Sequence, residues 1–279
     1  MDNILILIIV GFLIGTIGTL IGAGGGFILV PVLLLTRPEL KPEIVTAISI
    51  AIVAANAISG SIAYARSGRI DYKAGIIFAL FTIPGSILGV FTTQYIPTDV
   101  FHIIFGILLI VLSVFLFIKK RKPAVVDTDD LNDPLAVNNK LTHRRLVDNN
   151  GKVHEYSYNQ AIGIVISILV GFLSPLLGIG GGIIHVPAMV HWLHFPVYIA
   201  TATSHFILAV MSTVSVIVNI FKGSYSDPAV LKMVLSLGVG VVVGAQLGAL
   251  LSHKIKGEII IKALAICLAI VGIRLLIMA

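Results

Sequence analysis

The chain has 279 residues, of which 57% are hydrophobic and only 11% are charged. With a mean hydropathy of +1.06, the chain has more hydrophobic side chains than the core of a soluble protein of this size could bury. This excludes a soluble globular protein and predicts an integral membrane protein. The formal net charge of +6 does not indicate nucleic-acid binding, because the basic residues collect beside apolar segments and in a central linker, as is usual at membrane flanks.

Four apolar runs without Asp, Glu, Lys or Arg make up the first half, residues 1–118. They cover residues 3–36, 44–65, 74–98 and 100–118, and a membrane-spanning helix needs roughly 20 such residues. Transmembrane barrel strands would alternate polar and apolar residues over about 10 positions, and no such alternation occurs. No basic region or cleavage pattern marks a signal peptide, so the first helix is expected to remain in the protein.

A polar linker, residues 119–158, separates the halves. Between residues 145 and 156 an Asn-Gly pair stands between two short β-prone stretches, a pattern typical of a small β-hairpin. A disordered tether is the alternative. The positive-inside rule predicts that the linker is cytoplasmic, on the same side as Arg66, Arg69 and Lys73. The expected location is the inner (plasma) membrane.

The second half, residues 159–279, repeats a motif of the first. The sequence GAGGGFILVP begins at Gly22, and GIGGGIIHVP begins 156 positions later at Gly178. With four more apolar segments in this half, the chain predicts an all-α, polytopic membrane fold of about eight transmembrane helices as two four-helix repeats, each with a Gly-broken helix. Parallel halves are favoured over inverted ones, although the charges do not decide between them.

The glycine clusters indicate a transport site, because broken helices at corresponding positions of two halves are typical of transporters. In the first half we expect one helix to end near Leu20 and a half-helix to start near Gly26. A nucleotide-binding loop is rejected, because Phe27 stands where the dinucleotide pattern needs glycine. The free amides and the positive dipole of a half-helix suit an anion.

Neutral donors would have to bind that anion, because no Lys or Arg lies centrally in any predicted span. Hydroxyl residues are expected to begin the helix that follows each break, where ordinary N-capping is the alternative role; Thr201 belongs to this group. The predicted substrate-binding residues are Gly22, Gly24, Gly25, Gly26, Thr46, Ser49, Gly178, Gly180, Gly181, Gly182, Thr203 and Ser204.

The histidines of the second half are the candidate proton carriers. His185 and His205 are the titratable side chains nearest the predicted site and could accept a coupling proton. His191 and His194 lie one helical turn apart, but no Asp, Glu or Cys accompanies them, so neither a metal nor another cofactor is predicted. The apolar segments lack paired carboxylates and any Ser-His-Asp pattern, so no catalytic residue and no enzyme activity are predicted.

At these residues the chain resembles the sulfite exporter TauE/SafE family, also called the toluene sulfonate uptake permeases. The resemblance rests on the doubled Gly-x-Gly-Gly-Gly followed by Val-Pro, on Ala202-Thr203-Ser204 and on the two-half layout. It covers nearly the whole chain apart from the linker. The resemblance implies an inner-membrane permease for sulfite, sulfonates or related small organic anions, often working as an exporter.

These features together predict a secondary transporter of small sulfur-containing anions, with proton coupling through His185 or His205 as a further hypothesis. The expected partners are the lipid bilayer and the small anionic substrate, without nucleic acid, and the oligomeric state stays open. Two alternatives remain. One is a cation or metal transporter that uses the second-half histidines, and the other is a passive anion channel.

Overall fold

The computed structural model describes residues 3–118, 141–149, 151, 153–252 and 257–278. In these residues the chain forms ten helices and one β-hairpin. The elements are α1 (Ile4–Ile21), α2 (Gly26–Thr36), α3 (Pro42–Ala65), α4 (Tyr72–Thr93), α5 (Thr98–Ile118), β1 (Leu141–Val147), β2 (Val153–Asn159), α6 (Gln160–Leu177), α7 (Gly182–His191), α8 (Val197–Phe221), α9 (Pro228–Leu251) and α10 (Gly257–Met278).

Seven of the helices in the described part are long and apolar enough to cross a membrane: α1, α3, α4, α5, α6, α8 and α9. Helix α10 has 22 residues. Helices α2 and α7 have 11 and 10 residues, about half of what a span needs. The prediction of an all-α, polytopic membrane protein is confirmed, while the count of eight spanning helices stays a prediction.

Polar residues at the helix boundaries explain where several helices begin. The side chains of Asn3, Asp71, Asn159 and Asp227 accept hydrogen bonds from the first backbone amides of α1, α4, α6 and α9. These amides have no partner within the helix, so a side-chain oxygen at the N-cap stabilises the helix start. Each of these four helices therefore begins at a polar residue that precedes an apolar stretch.

The helices of one half pack mainly against helices of the other half. The pairs are α1 with α9, α4 with α6, α3 with α8, α5 with α10, α3 with α9 and α4 with α8. Exchanging α1 with α6, α3 with α8, α4 with α9 and α5 with α10 reproduces the same set of pairs. The two halves therefore interlock instead of forming separate bundles.

Contacts along the helices show that α1, α3 and α9 run in one direction. A Cβ on Gly240 would collide with the backbone of Ile8 in α1, and a Cβ on Gly248 would collide with that of Thr16, so α1 and α9 run the same way. Ser59 of α3 donates to the carbonyl of Val242 in α9, and farther along α3 packs against the end of α9 through Tyr64 and Ala249.

Helices α4, α6 and α8 run in the opposite direction. Gly85 of α4 lies against the backbone of Ile168, and Gly89 lies against Leu176, so α4 and α6 are parallel to each other. Helix α8 is antiparallel to α3, because Tyr64 packs on Ala202 while the earlier Val53 packs on the later Leu208.

Corresponding helices of the two halves therefore have opposite directions: α1 opposes α6, and α3 opposes α8. The favoured parallel arrangement was wrong, and the halves are inverted. The physical reason is the odd net number of crossings. Helix α2 returns the chain toward the side on which α1 began, so α1 and α2 form a helix–break–helix hairpin rather than one interrupted span. The charges on the loops do not decide between the two arrangements, because three lysines on one side and two on the other leave too small a margin.

The linker contains a two-stranded antiparallel hairpin, with Leu141 opposite Asn159 and Val147 opposite Val153. Its tip contacts the α3–α4 connection, since the Asn149 side chain donates to the carbonyl of Arg66 at 2.7 Å and the Asn149 amide donates to Ser67. The hairpin thus lies at the same end of the helices as Arg66, as the sequence predicts for the linker.

A buried carboxylate fastens the hairpin to the helices. Asp71 is 1% exposed, and its carboxylate accepts hydrogen bonds from Arg144 on β1 and, at 2.7 Å, from Tyr156 on β2. Burial raises the pKa of the Asp71 carboxyl, but the hydrogen bonds from Arg144, Tyr156 and the Ala74 amide outweigh burial and hold the pKa below its usual value.

Candidate functional site

The two glycine segments are buried and meet each other inside the molecule. We call residues 22–25 the first break and residues 178–181 the second break. A Cβ on Gly26 would collide with the carbonyl oxygen of Gly178, and a Cβ on Gly182 would collide with that of Gly22. The carboxyl end of α6 therefore abuts the amino end of α2, and the carboxyl end of α1 abuts the amino end of α7.

Backbone conformation requires glycine at five positions of the two breaks. Positive φ angles of 67° to 85° are adopted by Gly22, Gly24, Gly25, Gly178 and Gly180. Side chains make this region costly, and glycine enters it freely. Helix α1 ends at Ile21 and helix α2 begins at Gly26, within a residue or two of the predicted break.

At or just after each break, backbone amides lack acceptors in the part of the chain that is described. In the first break the amides of Ala23 and Gly24 bond back to the carbonyl of Gly18, whereas no hydrogen bond among the described residues uses the amides of Gly25, Gly26 or Phe27. In the second break the Gly181 amide donates to Ser174 Oγ at 2.6 Å.

The second half-helix resembles the first in this respect. The amides of Gly182 and Ile183, the first two of α7, have no acceptor within the described part of the chain. Each half-helix thus begins with free donors at the positive end of its dipole.

The predicted hydroxyl residues of the first half contact the second break. Ser49 Oγ donates to the Gly178 carbonyl at 2.6 Å, and Gly178 also packs on the backbone of Thr46. The Thr46 hydroxyl itself bonds to the carbonyl of Glu43 within its own helix. The expectation that both residues begin a helix was wrong, because α3 starts earlier, at Pro42.

The hydroxyl residues of the second half are used differently. Helix α8 begins at Val197, so these residues also lie inside a helix. The methyl group of Thr201 faces Gly22, while Thr203 Oγ1 accepts a hydrogen bond from the Asp71 amide at 3.0 Å. The structure therefore places Thr203 toward the α3–α4 connection rather than toward the first break. Ser204 Oγ is buried and has no partner in the described part.

The two candidate histidines are fully buried but lie in different surroundings. His185 Nε2, on α7, is 3.3 Å from Ser167 Oγ of α6. His205 Nε2, on α8, is 3.3 Å from Thr19 Oγ1 of α1, and the His205 ring meets the edge of the Tyr64 ring at 5.5 Å. Among the described residues the Nδ1 atoms of both histidines have no hydrogen-bond partner.

Sequence reasoning missed three buried polar residues beside the breaks: Thr19, Asn56 and Ser174. Asn56 carried a usable signal, because an amide side chain near the middle of an apolar span is costly unless it has a partner or a role. Thr19 and Ser174 carried none, since hydroxyls often bond within their own helix. In the part of the chain that is described, no three His, Cys, Asp or Glu side chains lie together as metal ligands.

Comparison with known proteins identifies the family. A family model described as sulfite exporter TauE/SafE matches residues 7–275. The chain belongs to this family. It is similar to the probable membrane transporter protein YunE of Bacillus subtilis strain 168, with 31% identity over 98% of the chain and 97% of the relative.

Two further relatives of the TauE/SafE chain carry the same description. The probable membrane transporter protein YdhB of Bacillus subtilis strain 168 is 27% identical over 98% of the chain and 100% of the relative. A probable membrane transporter protein of Methanocaldococcus jannaschii is 25% identical over 97% of the chain and 94% of the relative. No solved structure matches the chain. The family and its relatives show a membrane transporter and not an enzyme.

Proposed function

We propose that this TauE/SafE protein is a secondary transporter of a small sulfur-containing anion, such as sulfite or an organosulfonate, and that the two breaks bind the anion. The observation that carries this proposal is the pair of half-helices α2 and α7, whose first amides are buried and have no acceptor among the described residues. Helix amino ends with free amides are suited to anions.

The charges of the buried region favour the same conclusion. Among the described residues the buried Asp, Glu, Lys and Arg side chains are Asp71 and Asp148, and both lie outside the spans. A buried basic residue beside the breaks would compete with the amides, and a buried carboxylate would repel an anion. The donors for an oxyanion are therefore neutral groups: the amides at the start of α2 and α7, the Ser204 hydroxyl, which has no partner in the described part, and the Ser49 hydroxyl once its bond to the Gly178 carbonyl is released.

Substrate binding requires the breaks to separate. The Gly178 carbonyl covers the start of α2, and the Gly22 carbonyl covers the start of α7, so each positive helix end is compensated by a carbonyl of the other half. An anion that takes the place of these carbonyls has to move the halves apart. Inverted halves suit such a movement, because rocking one half against the other exposes the central site to either side in turn.

Proton coupling is the second part of the proposal. His185 and His205 are each 0% exposed, and a charged imidazolium in apolar surroundings is costly unless an opposite charge lies nearby. An anion at the breaks would supply that charge, and each ligand would favour binding of the other. Proton and anion would then move together, through His205 beside the first break or through His185 on α7.

Purified protein in liposomes tests this function. We expect saturable sulfite flux that is driven by an imposed pH gradient, and thermal stabilisation by sulfite or an organosulfonate in detergent. Flux that ignores the pH gradient and does not saturate would indicate a passive anion channel. Stabilisation by divalent metals, with no response to sulfite, sulfate, thiosulfate, taurine or sulfoacetate, would contradict the proposal and favour a metal transporter.

A further inference from the structure

A cluster of buried polar side chains lies where α1, α3 and α8 meet, beside the first break. Its members are Thr19, Asn56, Tyr64 and His205. Thr19 connects them, because its hydroxyl donates to Asn56 Oδ1 at 2.5 Å and lies 3.3 Å from His205 Nε2. The Tyr64 hydroxyl donates to the Thr19 carbonyl at 2.8 Å. The two halves thus share one polar cluster at this break.

Asn56 is the member with an unused donor. It is 0% exposed, its Oδ1 is occupied by Thr19, and its Nδ2 has no acceptor among the described residues. A buried amide group without an acceptor lowers stability and calls for an explanation. The other buried asparagine of the described part, Asn219, differs, because its Nδ2 donates to the Ser215 carbonyl at 3.0 Å.

The free amide group of Asn56 converges with a free amide of the break. A Cβ on Gly18 would lie 2.7 Å from Asn56 Nδ2 and 2.5 Å from the backbone nitrogen of Gly25. Neither nitrogen has an acceptor in the described part of the chain. Two donors from different helices therefore approach one point on α1, where the absence of a side chain at Gly18 keeps them close together.

We infer that Asn56 is a substrate-binding residue of this transporter, and that its Nδ2 and the Gly25 amide donate to the same oxygen of the transported oxyanion. This role rests on the proposed function. Thr19 acts as a positioning residue, because its bond to Oδ1 turns the amide group of Asn56 toward the break. The ligand class is a small anion with at least one unhindered oxygen, since both donor nitrogens lie close to the same point beside Gly18.

Binding of sulfite to the purified full chain, measured by titration calorimetry, tests the role of Asn56. Two variants remove the donor: Asn56→Ala deletes the side chain, and Asn56→Asp keeps its shape and the acceptor for Thr19. Because hydrogen bonds to charged groups are strong, we expect Asn56→Ala to weaken sulfite binding by about 10- to 100-fold. Asn56→Asp should abolish it, since a carboxylate replaces the donor.

Asn219→Ala and Asn219→Asp are the matched controls. We expect them to leave the affinity within about twofold, because the Asn219 side chain bonds to Ser215 and Ser224 and takes no part in the cluster beside the first break. The melting temperature without ligand establishes that each variant is folded. Wild-type affinity in either folded Asn56 variant would overturn this role of Asn56 and leave the proposed function standing. If the wild-type chain bound none of the sulfur oxyanions, the proposed function would fail, and the role of Asn56 with it.

Discussion

Arg144 is expected to hold the β-hairpin against the helices, and replacing it should let the hairpin detach more often. The guanidinium makes two hydrogen bonds to the Asp71 carboxylate, one of them 2.9 Å from Nε to Oδ2, and the Arg144 side chain is 20% exposed while that of Asp71 is 0% exposed. In Arg144→Gln the carboxylate keeps Tyr156 and the two amides at the start of α4.

The expected loss is therefore smaller than that for isolating a buried charge, at about 2 kcal/mol for the charge-assisted bonds of Arg144. Hydrogen–deuterium exchange of the β2 amides is the assay. If the free energy that holds the hairpin on the helices falls by about 2 kcal/mol, the exchange rate of the β2 amides rises by roughly 30-fold, since about 1.4 kcal/mol is a factor of ten.

The neighbouring residue on β1 provides the control. Arg145 pairs with Glu155 at 3.4 Å, and these side chains are 70% and 50% exposed, so Arg145→Gln should cost at most about 1 kcal/mol. Equal exchange in the two variants would refute the reasoning. Acid should also release the hairpin, because the folded protein lowers the pKa of the Asp71 carboxyl. The stabilisation by the Asp71 carboxylate is complete above the pKa of the unfolded chain, about 3.9. It is lost as the pH falls through the lower pKa of the folded protein.

Three further changes test the site and the packing around it. Ser49→Ala leaves the buried Gly178 carbonyl without its donor and should cost about 1–3 kcal/mol, seen as a lower melting temperature than that of Ser86→Ala, since Ser86 bonds only within its own helix. Gly244→Val should separate α9 from Phe12 of α1 and lower the melting temperature, while Gly238→Val, with nothing within 4 Å, should not. His205→Gln should flatten the pH dependence of sulfite flux if His205 carries the proton, and an unchanged profile in both this variant and His185→Gln would exclude both residues.

The glycine breaks could be located from the sequence because their cause is local. A glycine cluster inside an apolar run predicts a helix break because glycine enters the positive-φ region freely, and Gly22 and Gly178 do adopt positive φ angles at the ends of α1 and α6. The start of α3 was also encoded, since Pro42 stands at the position in the first helical turn that proline prefers. Placing Thr46 and Ser49 at the start of that helix overlooked this signal.

The inverted direction of the halves and the Asn56 cluster depend on contacts between distant segments. Thr19 and Asn56 are 37 residues apart, and Ser49 and Gly178 are 129 apart, so no local pattern pairs them. The direction of α1 relative to α9 depends on close contacts at Gly240 and Gly248, whereas glycines at this spacing indicate close packing without indicating which helix is the partner.

Sulfite flux in proteoliposomes that contain Gly25→Val tests most directly whether the breaks carry the anion. Gly25 has a φ angle of +85°, and a Cβ there would lie 2.6 Å from Ile14, so the side chain displaces the amides that would hold the substrate. We predict that Gly25→Val inserts into the membrane but loses sulfite flux, while Gly238→Val transports like the wild type. Wild-type flux in Gly25→Val would contradict a substrate site at the breaks.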